Sequence, residues 1–244
     1  MSKNKSVSTM MLMLIAVLLF GMAACAPVSD SECNSLRAEL DTANAELNRL
    51  RAEIATVKPA SLEELLRQRR SIRNYTDAPL MQEEVMKLLW AGQGITVAWG
   101  GRTAPSAGAL YPLELYVAVG NVENLAPGVY RYDPRQNKLS LLKEGDVRKS
   151  LALASLGQSS VADAAIDIVI AAVYKRTTAK YGSRGERYVH IEVGHAAQNI
   201  CLQATALDLG VVTIGAFEDA AVAKIIGMSP DEVPLYVISV GRMK

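Results

Sequence analysis

The sequence predicts an α+β domain, with helices packed on a mostly antiparallel central sheet and a short helical segment ahead of it. Apolar runs of strand length at residues 113–119, 165–173 and 235–240 are bounded by turn residues. A long helical stretch covers roughly residues 187–209. Strands and helices do not alternate in a regular βαβ pattern, and no Gly-x-Gly-x-x-Gly turn is present. A doubly wound parallel sheet around a dinucleotide is therefore disfavoured.

In chain order, the first element is an address. Lys3 and Lys5 precede an unbroken apolar run over residues 10–20, followed by the small residues leading to Cys25. A charged start, an apolar middle and small residues before a cut site make a secretory signal peptide. The apolar run is short for a spanning helix, which needs about 20 residues. Met22-Ala23-Ala24-Cys25 resembles the bacterial lipobox, with Met22 where that pattern usually has leucine. The resemblance implies removal of residues 1–24 and lipidation of Cys25, giving an exported lipoprotein held at a membrane. It would face the periplasm or the cell exterior. An uncleaved signal anchor is the alternative, with the same orientation.

Residues 26–58 read as a stalk. Cys33, Leu36, Leu40, Ala43, Leu47, Leu50, Ile54 and Val57 follow one another in steps of three and four, the a/d seam of a coiled coil. Glu39, Glu46 and Glu53 fall at g positions and Arg37 and Arg51 at e, so Glu46 of one chain would face Arg51 of a parallel copy. A lone amphipathic spacer helix is the alternative. Cys33 at an a position would allow an interchain disulfide outside the cytoplasm. Lys58-Pro59 should end the helix.

The remaining residues, 59–244, form the main domain. Ser61-Leu62-Glu63-Glu64 is a capping box opening a helix to about residue 69, and a second helix reads over 82–92. Strands at 128–132 and 139–143 should pair as a hairpin. The long helix at 187–209 would be capped by Gly210. A strand at 211–214, a helix at 220–226 and the strand at 235–240 complete the order.

Composition narrows the function. Half of the 244 residues are apolar and the formal net charge is +1, with no basic stripe, so a nucleic-acid partner is not expected. Three scattered cysteines make neither a disulfide framework nor a thiolate metal site. His190 and His195 lie five apart, on different faces of a helix, so no metal is expected.

Three segments carry candidate chemistry. Arg69-Arg70-Ser71-Ile72-Arg73 gathers guanidiniums and a hydroxyl, the donors that grip phosphate. Taken alone, such a cluster is more often a solvated helix end. Pro105-Ser106-Ala107-Gly108-Ala109-Leu110-Tyr111-Pro112 is a small-residue loop whose backbone can approach a flat ligand. An ordinary turn would look the same. Near the C-terminus, Ile214-Gly215-Ala216-Phe217 follows one strand and Gly241-Arg242 ends the last. The first offers backbone N–H groups and Arg242 another phosphate partner.

Together with Lys180-Tyr181-Gly182 and Gly194-His195-Ala196-Ala197-Gln198-Asn199, these segments resemble the nitroreductase superfamily, in its SagB/ThcOx-type dehydrogenase branch. The resemblance runs from about residue 61 to residue 242. It implies a nitroreductase-like fold and FMN in the interface of a homodimer. Arg69, Ser71, Arg73 and Arg242 would hold its phosphate and ribityl chain, with Arg70 beside them. Pro105, Ser106, Ala107 and Gly108 would run along the ring. Ile214, Gly215 and Ala216 would bring backbone N–H groups to flavin N5, where hydride enters or leaves. Ala109 stands where many nitroreductases have a ring-contacting asparagine. Lys180 and Tyr181 would be the catalytic pair, the phenol exchanging a proton and the ammonium lowering its pKa; ordinary surface charge and packing would also account for them. The protein supplies position and electrostatics to the cofactor's chemistry. An exported enzyme lacks cytoplasmic nicotinamide donors, so the expected substrate is a small molecule or peptide that is itself oxidised, or a membrane quinone partner. A general nitro or quinone reductase remains open, as does a non-catalytic flavin-binding or dimerising lipoprotein.

Overall fold

The computed structural model describes residues 30–56 and 60–244. The expected signal peptide, the lipidation position Cys25 and the helix end at Lys58-Pro59 lie outside the described residues, as does the side chain of Cys33. The chain divides into two units, Met1–Pro59 and Ala60–Lys244.

In the first unit, helix α1 (Asp30–Thr56) carries the heptad positions from Cys33 to Ile54, while Val57 lies outside the described residues. Its seam leucines are uncovered within the single chain: Leu36 is 48%, Leu40 52% and Leu47 45% exposed. Thr42 Oγ1 donates to the carbonyl of Ala38, and Arg49 lies 3.8 Å from Glu46 one turn away.

The second unit opens with α2 (Leu62–Gln68), where the Ser61 hydroxyl accepts the Glu64 N–H and the Glu64 carboxylate accepts the Ser61 N–H, as the capping box predicts. Then follow β1 (Leu80–Met81), α3 (Gln82–Gln93), β2 (Leu113–Val119), β3 (Val122–Glu123), β4 (Gly128–Asp133) and β5 (Lys138–Glu144). Two short helices, α4 (Arg148–Ala154) and α5 (Ser159–Asp163), lead to β6 (Ile166–Ala172). The chain ends with α6 (Lys175–Tyr181), α7 (Arg184–Ala206), β7 (Leu209–Ile214), α8 (Asp219–Ile226) and β8 (Val233–Arg242). The main sheet has six strands in the order β5-β4-β2-β6-β8-β7, every adjacent pair antiparallel. β1 and β3 form a small parallel pair apart from it. The predicted α+β class and antiparallel sheet are what is found.

Strand alternation sorts the core into two layers. On β6, Ile166, Ile168 and Ile170 enter the layer filled by Leu88 and Leu89 of α3 and by Val189, Ala196 and Ile200 of α7. Val169 and Ala171 enter the other, against Leu151 of α4, Val161 of α5 and Val222 of α8. Because both faces are covered, the central strands read as continuous apolar runs.

The C-terminal limit of the long helix departs from the expectation. Gly210 does not cap it. The last helical turn closes at Leu207, whose N–H reaches the carbonyls of Gln203 and Ala204, and Asp208 supplies the left-handed turn at φ 54. Aspartate tolerates that conformation better than most side chains. Gly210 sits inside β7 for a different reason. A Cβ there would lie 2.9 Å from the Ile72 side chain, which belongs to a strap, residues 71–76, laid along the ends of β7 and β8. The Ile72 N–H donates to Val211 O and the Thr76 N–H to Arg242 O, both at 2.9 Å.

Candidate functional site

The strap explains how the two ends of the domain meet. Ser71 bridges Val211 in parallel register and Tyr75 bridges Met243 in antiparallel register. The Tyr75 hydroxyl donates to Ile72 O at 2.8 Å and reaches Ser239 O at 3.2 Å. The backbone of the arginine-rich segment therefore runs beside the strand ends that carry Gly210 and Arg242. Their side chains differ in what they hold. Arg70 donates to the carbonyls of Arg67 and Arg69. Among the described residues neither Arg69 nor Arg73 has a carboxylate partner. Arg242 is engaged elsewhere, with Nη2 2.7 Å from Glu84 Oε2 and Nε 3.3 Å from Pro79 O. Glu84 also accepts the Met81 N–H that starts α3.

At the far end of β7, Ile214 is buried while Gly215 and Ala216 emerge to solvent. The Ala216 carbonyl accepts from Gln158 and the Glu218 N–H donates to Ala154 O, which fixes the turn. With a strand rise of about 3.3–3.4 Å per residue, Val211 and Gly215 lie roughly 13 Å apart along the strand.

The small-residue loop forms a second cluster. Gly108 has φ 65, and a Cβ on it would lie 2.7 Å from the Tyr181 hydroxyl and 3.0 Å from Lys180 Nζ. Glycine is thus required twice, by conformation and by space. The fold brings Lys180 and Tyr181 directly onto this loop. Lys180 Nζ stands 5.4 Å from the Tyr181 ring centroid, and Tyr181 meets the Tyr188 ring edge-on at 5.2 Å.

The loop is strained and held. Ala109 at φ 55 and Tyr111 at φ 48 occupy left-handed backbone, a cost of about 1–3 kcal/mol each. Ser106 Oγ accepts the Tyr111 N–H at 2.9 Å, and Arg176 donates to Tyr111 O at 3.1 Å. The Tyr111 hydroxyl accepts from the Arg102 backbone, while the Arg102 guanidinium lies 4.7 Å from the Tyr111 ring centroid. Arg176 also donates to Glu114, which pairs with Arg131 and, through it, with Glu232.

Two groups in this cluster escape a reading by motif. Arg176 ties α6 to β2, and Glu192 of α7 is buried beside Ser106. Burial pushes the Glu192 carboxyl up to about 7, against the lowering effect of the Ser106 hydrogen bond and the Arg102 charge. His190 meets the Tyr174 hydroxyl at 2.5 Å, and His195 is exposed. No hydrogen bond or ion pair among the described residues joins the strap cluster to the loop cluster. Between α2, α3 and α7 runs a groove of about 250 Å³ lined by Leu65, Trp90, Ala91 and Leu202 among others.

Comparison with known proteins adds the family. The nitroreductase family pattern matches residues 66–242. MJ1384 of Methanocaldococcus jannaschii, named as a nitroreductase, is 46% identical over 186 residues, covering 76% of this chain and 93% of that protein. The trifolitoxin operon protein TfxC of Rhizobium leguminosarum bv. trifolii is 27% identical over 72% of this chain and 54% of its own length. The microcin B17-processing protein McbC of Escherichia coli is 30% identical over 56% of this chain and 52% of its own. The chain therefore spans about half the length of those two. Among solved structures, a nitroreductase of Anabaena variabilis ATCC 29413 is 32% identical with a TM-score of 0.67, over 75% of this chain and 39% of that one. A chain of the Escherichia coli microcin synthetase McbBCD complex, with truncated pro-MccB17 bound, is 26% identical with a TM-score of 0.66, over 78% and 74%.

Proposed function

This chain belongs to the nitroreductase family, and from that premise we propose that it is an FMN-dependent, SagB-type dehydrogenase acting as a membrane-anchored homodimer outside the cytoplasm. Oxidoreductase-type function follows from the family. The observation that carries the finer reading is the packing of the Tyr181 phenol and the Lys180 ammonium onto Gly108.

The donor set fits the cofactor. Arg69 and Arg73 are guanidiniums without carboxylate partners among the described residues, beside the exposed Ser71 hydroxyl, and each charge-assisted bond to phosphate is worth about 1.5–3 kcal/mol. Gly215 and Ala216 emerge at the other end of β7, so a ligand lying along the strand would meet basic groups first and free backbone last. Arg242 would join only by exchanging Glu84 for the ligand. When bound, FMN supplies two-electron chemistry at its N5. The chain would then hold a proton at the Tyr181 hydroxyl, with the Lys180 ammonium beside it.

Two separate clusters on one chain, each an incomplete cradle, support a site completed by a second copy. The apolar groove between α2, α3 and α7, with Leu62, Leu66 and Trp90 exposed around it, supports that pairing. The signal-peptide pattern and Cys25 support export and lipid anchoring. Electrons then come from an oxidised small molecule or peptide, or pass to or from membrane quinone.

The test starts from full-length protein extracted in mild detergent. It should be yellow, release FMN on heating, and exchange electrons faster with quinols than with NADH or NADPH. A colourless protein that takes up no added FMN would overturn the cofactor. Rapid NADPH oxidation with a nitroaromatic, together with a cytoplasmic location, would overturn the proposed electron flow.

A further inference from the structure

Glu192 has a position without a task in the chemistry above. It is 2% exposed on α7, and its Oε1 has no hydrogen-bond partner. A buried, unsatisfied carboxylate oxygen costs about 1–3 kcal/mol or more, so its retention beside the loop calls for a reason. The Ser106 hydroxyl and the Arg102 guanidinium are the groups near it that favour its ionised form. Ser106 also accepts the Tyr111 N–H, so one of its lone pairs is already taken. The cation facing Glu192 is Arg102, from the segment after α3, which also donates to Gln93 and stacks on Tyr111. Glu114 of β2 and Arg176 of α6 act on Arg102 in turn. Lys180 and Tyr181 stand at Gly108, two residues along the loop.

We propose that Glu192 is a positioning residue that sets, through Ser106, whether the loop offers the bound ligand a hydrogen-bond donor or an acceptor. The inference rests on the assignment of residues 105–108 to the cofactor. An ionised carboxylate only accepts, whereas a carboxylic acid also donates. With Glu192 ionised, the single O–H of Ser106 is drawn inward and the Tyr111 N–H holds one lone pair. Ser106 then shows the ligand only a lone pair. With Glu192 protonated, its O–H donates to Ser106, both lone pairs are filled, and the Ser106 hydrogen turns outward. A ligand that gains negative charge beside Ser106 therefore draws one solvent proton onto Glu192. Both states are accessible near neutrality, because burial lifts the carboxyl to about 7.

Two readouts on the full-length protein in detergent test this. The first is infrared titration before FMN is added. It should show a protonated-carboxyl band that fades as pH rises through about 7 and is missing from Glu192→Gln. Ser106→Ala removes a bond that favours the carboxylate, so its midpoint should move upward. An unmoved midpoint overturns the proposal even if the glutamine variant fails to fold. The second is the FMN dissociation constant against pH. In the wild type it should change about tenfold for each unit by which binding shifts the Glu192 pKa, and in Glu192→Gln it should be flat over the same range. An affinity equally pH-dependent in both proteins overturns the role of Glu192 while leaving the flavin assignment intact. Failure of every form to bind FMN removes the assignment beneath it, and the proposal with it.

Discussion

Asp167, the second residue of β6, lies at 0% exposure, with Oδ1 accepting the Ser239 hydroxyl at 2.5 Å and Oδ2 unpartnered. Burial holds its carboxyl well above the usual range, outweighing Ser239 and the nearby Arg148 charge. The unfolded chain releases this proton near the ordinary value of 3.8, while the folded chain keeps it to higher pH. The folded state then binds more protons, so this group's contribution is greatest below that value and is lost as pH rises toward the folded pKa. Asp167→Asn should flatten the decline of the melting temperature as pH rises above about 4; parallel curves for the two proteins would refute it. Such residues separate what a sequence reveals from what it hides. Lys180, Tyr181 and Gly108 are legible because their motif is local and their residue types are unusual together. Glu192 is not, because a glutamate close behind Glu186 and Arg187 on a helix reads as solvated. Its burial is decided by Ser106 and Arg102, far away in the chain. Arg242 was legible as a cation at a strand end, but nothing local announces that Glu84 holds it.

Helix α6 is only seven residues long, too short to be stable by itself, yet it carries Lys180 and Tyr181. Arg176 holds it by donating to Tyr111 O at 3.1 Å and to Glu114 at 2.5 Å. Its grip on the loop and on β2 sets where the phenol lies. Arg176→Gln should lower both kcat and kcat/KM on the order of tenfold or more, since small displacements of reacting groups are costly. Arg176→Lys should not restore either, because one ammonium lacks the planar fork that serves both acceptors. Unaltered rates in both variants would exclude a positioning role. The larger elements were readable from period and length. The short helices α4, α5 and α6 were not, since five to seven residues complete too few turns to show a repeat. The end of α7 was misplaced because glycine and aspartate both serve left-handed turns, and only the strap shows why Gly210 must be small.

For the molecule as a whole, the leucines of α1 left uncovered within the single chain are the surface on which a second copy would pack. If two copies pair in parallel, mild oxidation of the full-length protein should give a covalent dimer through Cys33 on a non-reducing gel. Leu40→Glu with Leu47→Glu should reduce it by about tenfold or more, because buried charge at seam positions opposes pairing. Monomer alone from the wild type would exclude the Cys33 disulfide. The main domain has its own safeguard at a larger scale. The strap bonds to the outer side of β7 at Val211, which covers part of this flank of the sheet. The opposite flank is β5, where Lys138, Lys143 and Glu144 bracket the exposed Leu141 and Leu142. Charges set at both ends of an open strand discourage strand-to-strand aggregation between neighbouring molecules.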